Sequence, residues 1–432
     1  MNEKSQHGCP YGHVSRRTML KGMVAGALSA PLSGAALAQS SVVAEPHQES
    51  IDFTAQHAFY SPAPQAGETA NRAQAGIATP PQRHIMFMTF DLTSSNVRQL
   101  QVLLARWSSA IAQMMKGETI GLVEPMREHG IGGDTGEAFG LGPAALTVTV
   151  GLGPKIFSEE LGLAHHRPAL MRALHALPSD NLSPELTGGD LSIQACADDP
   201  QVVYHAVRNL ARIAKLTGAA ATRWSVLGFG RASAGKGQET PRNLFGFKDG
   251  TRNITEAADL EQHVWVRDQG PLWQQNGSYQ VVRKIRMHIE NWDTDRVSDQ
   301  NAVFGRQKLS GAPLGAQQEF DDPDFTRCDD SGERIIPMNS HISLAAHENN
   351  QGVRILRRSY NYTDGLNALG FLDAGLLFIS YQNDPEHFER LQTKLGSADA
   401  LNEYISHIGS GIFFVPPAPR EGSYLAAELF DS

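Results

Sequence analysis

From His84 onward the alternation of apolar and polar positions becomes regular enough to predict elements. His84-Ile85-Met86-Phe87-Met88-Thr89-Phe90 is a nearly unbroken apolar run of strand length, so it predicts a buried β-strand. Asp91 and Thr93 then offer caps for a helix carrying Leu100, Leu103, Leu104, Trp107 and Ile111 at helical spacing. Residues 146–152 and 191–197 read as further strands. The second of these runs into Asp198-Asp199-Pro200 and a helix through Val203, Ala206, Leu210 and Ile213. The same grammar returns 185 residues later, where strand Leu376-Leu377-Phe378-Ile379-Ser380-Tyr381 runs into Asn383-Asp384-Pro385 and a helix through Phe388 and Leu391. In both copies an Asp stands where it can cap the helix, and a Pro takes the first helical position, where its missing N–H costs nothing.

One repeated strand–Asp–Pro–helix unit at a domain-sized offset predicts two similar α+β halves, each a sheet covered on one face by helices. The first half is expected at 83–229 and the second at 278–417, with Phe413-Phe414-Val415 as a last strand. Residues 230–277 form a Gly-rich, Trp-containing connection, and 418–432 a C-terminal tail. Residues 39–82, rich in Ala, Gln, Pro, Ser and Thr, are read as an arm or an extended wrap instead of a domain.

The first 38 residues read as an address. Ser15-Arg16-Arg17-Thr18-Met19-Leu20-Lys21 precedes a weakly apolar run that ends Ala36-Leu37-Ala38, which is a secretory pattern with cleavage expected before Gln39. Its paired arginines resemble a twin-arginine signal, a route that exports folded proteins and so lets a cofactor be loaded first. The run is too broken by Gly, Ser and Pro to be a membrane anchor, and no other segment is apolar enough to span. The full chain of 432 residues carries a net charge of −9. Removing residues 1–38 leaves 33 basic and 45 acidic side chains, a net of −12, which disfavours a general nucleic-acid surface. Cys9 leaves with the address, so Cys196 and Cys328 remain, as a disulfide or as two thiols. No Cys-x-x-Cys is present, which removes paired-cysteine zinc sites and covalent c-type haem.

Two stretches invite a chemical reading. Gly230-Arg231-Ala232-Ser233-Ala234-Gly235-Lys236 nearly completes a phosphate-binding loop, but Gly237 stands where the magnesium-binding hydroxyl should be, so it reads as a plain loop. Asn243-Leu244-Phe245-Gly246-Phe247-Lys248-Asp249-Gly250-Thr251-Arg252-Asn253 is more informative. Here an acid sits between glycines, which allow close backbone approach to a flat ligand, and aromatics, which can dry the site. Ser340-His341-Ile342 follows 92 residues after Asp249, then Arg357-Arg358-Ser359-Tyr360, then Gly375-Leu376-Leu377-Phe378.

This ordered set resembles the dye-decolourising haem peroxidases over roughly residues 84–417. It is most similar to their exported branch, which includes the periplasmic deferrochelatase/peroxidase of an iron-uptake system. The resemblance implies two ferredoxin-like halves of the dimeric α+β barrel type, with antiparallel sheets, helices packed outside, and one noncovalent haem b per chain. It implies His341 as the iron ligand, Asp249 as the distal acid/base and Arg357 as the distal cation, with Arg358 the alternative for the last role. Gly250, Thr251 and Arg252 would approach the haem after the Asp loop, Ala346, His347 and Glu348 after the ligand, and Leu376 and Phe378 on the distal side. Hydrogen peroxide and an organic reductant are the implied partners, with free haem as an alternative substrate. The resemblance also implies a homodimer or larger assembly, iron-uptake partners and a periplasmic location.

The chain departs from the family in two places. Ser343 and Ala346-His347-Glu348 replace an arginine two residues after the ligand and an Asn-Pro-Arg stretch, which puts the propionate contacts there in doubt. Ser359 replaces the glycine after the double arginine and bears on access to the distal pocket. Among 16 histidines, His288 is the rival ligand, on a strand with Val282, Lys284 and Arg286, whereas His165-His166 read as a solvated helix edge. Trp224, Trp265, Trp273, Trp292, Tyr360 and Tyr381 are expected to pack the core, with electron relay as their alternative role. Three functions stay open at this point: a haem peroxidase, a deferrochelatase releasing iron with the porphyrin intact, and a haem carrier without turnover. A proton-shuttling acid beside a permanent cation argues for turnover.

Overall fold

The computed structural model describes residues 58–61, 72–127, 129–230, 239–267 and 270–430. The expected export signal, most of the arm, and all but Gly230 of the phosphate-loop-like stretch lie outside the described residues. In chain order the elements begin β1 (His84–Leu92), α1 (Val97–Met114), β2 (Thr147–Leu152), β3 (Leu191–Ala197), α2 (Pro200–Thr217) and β4 (Ala220–Phe229). Then come α3 (Ala257–His263), β5 (Ser278–Met287), α4 (Ile289–Trp292), α5 (Val297–Phe304) and α6 (His341–Ala345). The chain closes with β6 (Leu356–Arg357), β7 (Tyr360–Leu366), β8 (Leu372–Gln382), α7 (Pro385–Ala398) and β9 (Ile405–Val415).

The repeated strand–Asp–Pro–helix unit behaves as its chemistry requires. The Asp199 carboxylate accepts from the Gln201 and Val202 N–H groups at the start of α2, and Asp384 accepts from Glu386 N–H at the start of α7. Pro200 and Pro385 hold the first helical positions. At α1 the expected caps are corrected, because Asn96 accepts from Arg98 and Gln99 N–H instead. β1 continues to Leu92, Asp91 is engaged by Arg223 at 2.7 Å, and the Thr93 hydroxyl donates to Gly218 O at 2.7 Å. Tertiary partners therefore take both candidates before the helix can.

The strands β2-β3-β1-β4 form an antiparallel sheet in which the half's first strand lies between its third and fourth, the ferredoxin-like order. β7-β8-β5-β9 repeats that order in the second half. Each half completes the other: β4 pairs with β7 (Gly228↔Tyr362, Phe229↔Asn361) and β9 with β2 (Leu152↔Phe414). With β5 paired to β8 the eight strands close into a ring, and helices pack outside it.

Inside the ring, Ile85, Phe87, Val226, Tyr362, Leu377, Ile379 and Tyr381 form one apolar cluster. The interior also holds polar groups, and they bond to one another: Tyr381 donates to Gln194 at 2.8 Å, and Gln280 donates to Tyr381 at 2.7 Å. Outside the first half, α1 and α2 cover Leu191, Ile193 and Ala195 of β3. Outside the second half, Leu376 and Phe378 of β8 lie on the face opposite Leu377 and Ile379, as strand alternation requires. Gly375 is obligatory for this pairing, since a Cβ there would sit 1.9 Å from the Ile285 carbonyl oxygen. Cys196 is buried in the ring's interior cluster and Cys328 is exposed, so the two do not form a disulfide. His165-His166 belong to a short 3-10 helix in which His165 is exposed, and the half-buried His166 ring meets Trp273 edge-on at 6.3 Å.

Candidate active site

The Asp-bearing loop is built by its neighbours. Asn243 Oδ1 accepts from the N–H groups of Phe245 (3.1 Å) and Phe247 (3.2 Å), and Asn243 N–H donates to Phe247 O at 2.9 Å. This closes a turn through Gly246, whose φ of +84° suits a residue without Cβ. Phe245 then packs on Trp292 at 4.5 Å, and Phe247 stacks on Phe304 at 4.0 Å. Both Phe side chains are buried, so they anchor the loop to the outer core of the second half. Asp249, held by its N–H to Pro241 O at 2.8 Å, is thereby placed on the wall of a cavity of about 250 Å³.

Arg357 reaches the same cavity from β6. Its Nη1 donates to Asp249 Oδ1 at 3.4 Å and its Nη2 to Thr251 O at 3.0 Å. A reciprocal pair between Asn253 and the Arg357 backbone (2.9 and 2.7 Å) ties β6 to the Asp loop, so acid and cation move together. From Leu356 to Thr363, β6 and β7 lie along β8 in one register, so the adjacent Arg357 and Arg358 point to opposite faces. Arg358 enters the ring interior, 1% exposed, where it donates to Thr79 O and, at 2.6 Å, to Gln82 Oε1. Parity separates the two arginines: Arg357 lines the cavity and Arg358 does not.

His341 opens α6 and lines the cavity with its ring. Its Nδ1 meets Asp399 Oδ2 at 2.7 Å, and that carboxylate, 3% exposed, also accepts from Leu401 N–H. Burial alone would push the imidazole pKa down; Asp399 outweighs it and raises the value above ordinary histidine. With Nδ1 bound to Asp399, Nε2 has no hydrogen-bond partner among the described residues. Apolar Ile285, Met287, Phe304, Leu376, Phe378 and Leu391 complete much of the wall. A fixed imidazole with one open nitrogen, apolar walls and a cationic rim fits a flat, mostly apolar, iron-centred and anionic group such as haem.

Of the other expected residues, Arg252, Ala346, His347, Leu376 and Phe378 line the cavity, whereas Gly250, Thr251 and Glu348 lie behind the lining. Gly250, at φ +132°, turns the chain toward Arg357, and Thr251 Oγ1 donates to Glu319 at 2.9 Å. Glu348 pairs with Arg252 at 2.6 Å; burial works against its carboxylate, but Arg252 outweighs this and lowers its pKa. Ser359 borders a small recess together with Asp249 and Leu376. His288 lies outside the cavity and bonds Ser406 Oγ at 2.9 Å. Trp224, Trp265, Trp273, Trp292, Tyr360 and Tyr381 are all buried in the cores. The sequence reading missed Asp399, Asn253, Phe304 and Arg306. Of these, only Asn253 lay within a singled-out stretch, and Asp399 carries no local signature.

Comparison with known proteins gives a consistent picture. The family model "Dyp-type peroxidase, N-terminal" matches residues 74–230, and "Dyp-type peroxidase, C-terminal" matches residues 240–420. A protein named deferrochelatase from Yersinia pseudotuberculosis is 36% identical over 433 residues, covering 97% of this chain and 95% of its own length. A deferrochelatase of Shigella flexneri is 35% identical over 446 residues, covering 99% of each. Among solved structures, the oxyferrous complex of DtpA from Streptomyces lividans is 38% identical with a TM-score of 0.76, covering 84% of this chain and 98% of that one. A DyP-type peroxidase from Streptomyces coelicolor is 37% identical with a TM-score of 0.77, covering 87% and 99%.

Proposed function

The chain belongs to the Dyp-type peroxidase family, and on that premise we propose that it is a haem b peroxidase whose chemistry rests on His341, Asp249 and Arg357. The observation that carries the reading is one cavity lined both by the Asp399-tied imidazole and by the Asp249–Arg357 pair. Haem, when bound, supplies the iron and the redox equivalents for peroxide reduction. His341 Nε2 is the atom free to hold that iron, and Asp399 fixes the ring's tautomer and raises its basicity. Leu376, Phe378, Ile285 and Leu391 supply the apolar walls that exclude water from the ring.

Asp249 provides a carboxylate that takes a proton from one peroxide oxygen and returns it to the other. Arg357, permanently charged, stabilises the negative charge that develops on the peroxide oxygens. The reciprocal Asn253 bonds hold both groups in one rigid unit, so neither has to be reoriented when peroxide enters. The reductant is a dye, phenol or other bulky electron donor. An absorption spectrum of the purified holoprotein tests the reading. A Soret band that responds to peroxide, and that is lost or altered in His341→Ala, is expected; an unchanged axial nitrogen in that variant overturns the ligand assignment.

The relatives named deferrochelatase favour a second reading, release of iron from haem with the porphyrin intact. Anaerobic incubation with haem followed by porphyrin fluorescence separates it from peroxidase turnover. The paired arginines at 16–17 and the small residues before Gln39 support export of the folded chain to the periplasm. Among the described residues no helix is long and apolar enough to cross a membrane. Homodimer formation and contact with iron-uptake components belong to the same reading, and size-exclusion chromatography of the mature chain checks the first.

A further inference from the structure

The cations on the cavity wall are already engaged or buried. Lys248 pairs with Glu319, Arg252 with Glu348, Arg354 with Asp259, and Arg357 with Asp249, while Arg306 is 6% exposed. The entrance shows solution something different. Pro323 and Phe325 line the cavity, and the neighbouring Asp322 carboxylate stands 3.9 Å from Arg252 with its side chain 95% exposed. Phe320, on the same loop, is 69% exposed.

This loop is pinned at several points. The Glu319 carboxylate accepts from Thr251 Oγ1 at 2.9 Å, and its carbonyl accepts from Arg306 at 3.0 Å. Asp321 Oδ2 accepts from the N–H groups of Gln317 (3.0 Å) and Gln318 (2.8 Å). Asp324 Oδ1 accepts from Thr326 N–H (2.9 Å) and Arg327 N–H (3.1 Å). Asp321 and Asp324 thus fold the loop, whereas Asp322 faces water. An aromatic molecule arriving here meets phenyl rings and an exposed negative charge. Ring faces attract other rings and cations, and Asp322 attracts cations and repels anions. The chain's net charge of −9 has the same sign. Haem b is itself anionic, so filling the cavity does not reverse it.

We propose that Phe320, Asp322, Pro323 and Phe325 form the binding site of the organic electron donor, and that this site selects neutral and cationic aromatic donors over anionic ones. The inference rests on the haem peroxidase reading above. Two such donors, each giving one electron and one proton, match one peroxide reduced to two waters.

The test compares three phenols that share a ring and differ in a remote charge: tyramine, 4-ethylphenol and 3-(4-hydroxyphenyl)propionate. At about pH 6 the amine is protonated and the carboxyl ionised. With the holoprotein, kcat/KM should fall in that order, tyramine standing roughly tenfold above the propionate at low ionic strength, and the gap should narrow as salt is added. No order, the reverse order, or an order indifferent to salt overturns the proposal. Asp322→Lys should shrink the tyramine-to-propionate ratio severalfold, and an unchanged ratio overturns the proposal. Asp322→Asn, a smaller change in the same direction, decides the matter where the Lys variant does not fold. Phe320→Ala should raise KM for all three phenols severalfold with little change in kcat, and unaltered KM values overturn the site. A Soret band that does not respond to peroxide overturns the peroxidase reading itself. A normal peroxide response with donors ranked without regard to charge overturns this inference alone.

Discussion

Asp249→Asn isolates the proton-carrying role proposed for Asp249. The amide has nearly the volume of the carboxylate and keeps an oxygen to accept from Arg357, which now approaches at 3.4 Å. Arg357 is also held by Thr251 O and by both Asn253 bonds, so its position survives the change. What is lost is the capacity to take up and return a proton. Positioned general acid–base groups are worth about 10² to 10⁴ in rate, which is roughly 3–5 kcal/mol of barrier. Stopped-flow measurement of peroxide consumption by the holoprotein, at matched haem content, should show a fall of that size. Haem affinity should stay close to wild type, because the His341 imidazole and the apolar walls are untouched. A rate within about threefold of wild type would refute the assignment of Asp249. So would a loss of rate that tracks loss of haem, since that would make Asp249 a structural group.

Removing Asp399 (Asp399→Ala) leaves burial as the dominant influence on His341, so the pKa in the haem-free protein should drop below the ordinary value; an NMR titration of the ring reads it directly. By linkage, the His341–Asp399 pair stabilises the haem-free protein fully below the unfolded pKa near 6.5, and this is lost as pH rises through the raised folded value. Denaturant melts of wild type and Asp399→Ala should therefore converge toward high pH, and a constant gap would contradict the raised value. Adjacent arginines should part company: Arg358→Met strands buried acceptors on Thr79 and Gln82 and should lower stability by about 1–3 kcal/mol or more, while Arg357→Met should leave the melt nearly unchanged and abolish most turnover. Loss of either helix cap, Asp199→Ala or Asp384→Ala, should cost about 1 kcal/mol in urea unfolding. The two effects should add in the double variant, as the caps belong to different helices.

The halves were readable in the sequence because their signal is local. An Asp before a Pro at a helix start acts within one turn, and alternating residues on a strand act within a few. The same locality explains the missed cap at α1, where Arg223 and Gly218, more than a hundred residues away, claimed Asp91 and Thr93. His341, Asp249 and Arg357 were reached through an ordered set of motifs, whereas strand parity, read only from the pairing of β6 with β8, separates Arg357 from Arg358. Asp399 stayed hidden because it matters through a contact across the fold, with His341, and leaves no mark on its sequence neighbours. Closure of the ring was implied by the family resemblance and by no local signal, since one seam rests on Leu152↔Phe414 and the other on two pairs.

That closure bears on how this protein can be handled. All three groups proposed for catalysis lie beyond residue 240, which invites production of the C-terminal part alone. Such a fragment would lose β2, β4 and the 180–188 segment that also bonds β9, uncovering N–H and C=O groups of β7 and β9 along two open margins. Those margins are templates for stacking one copy upon another. The N-terminal half, which supplies no proposed catalytic group, thus serves as a built-in guard against fibrous or amorphous self-association.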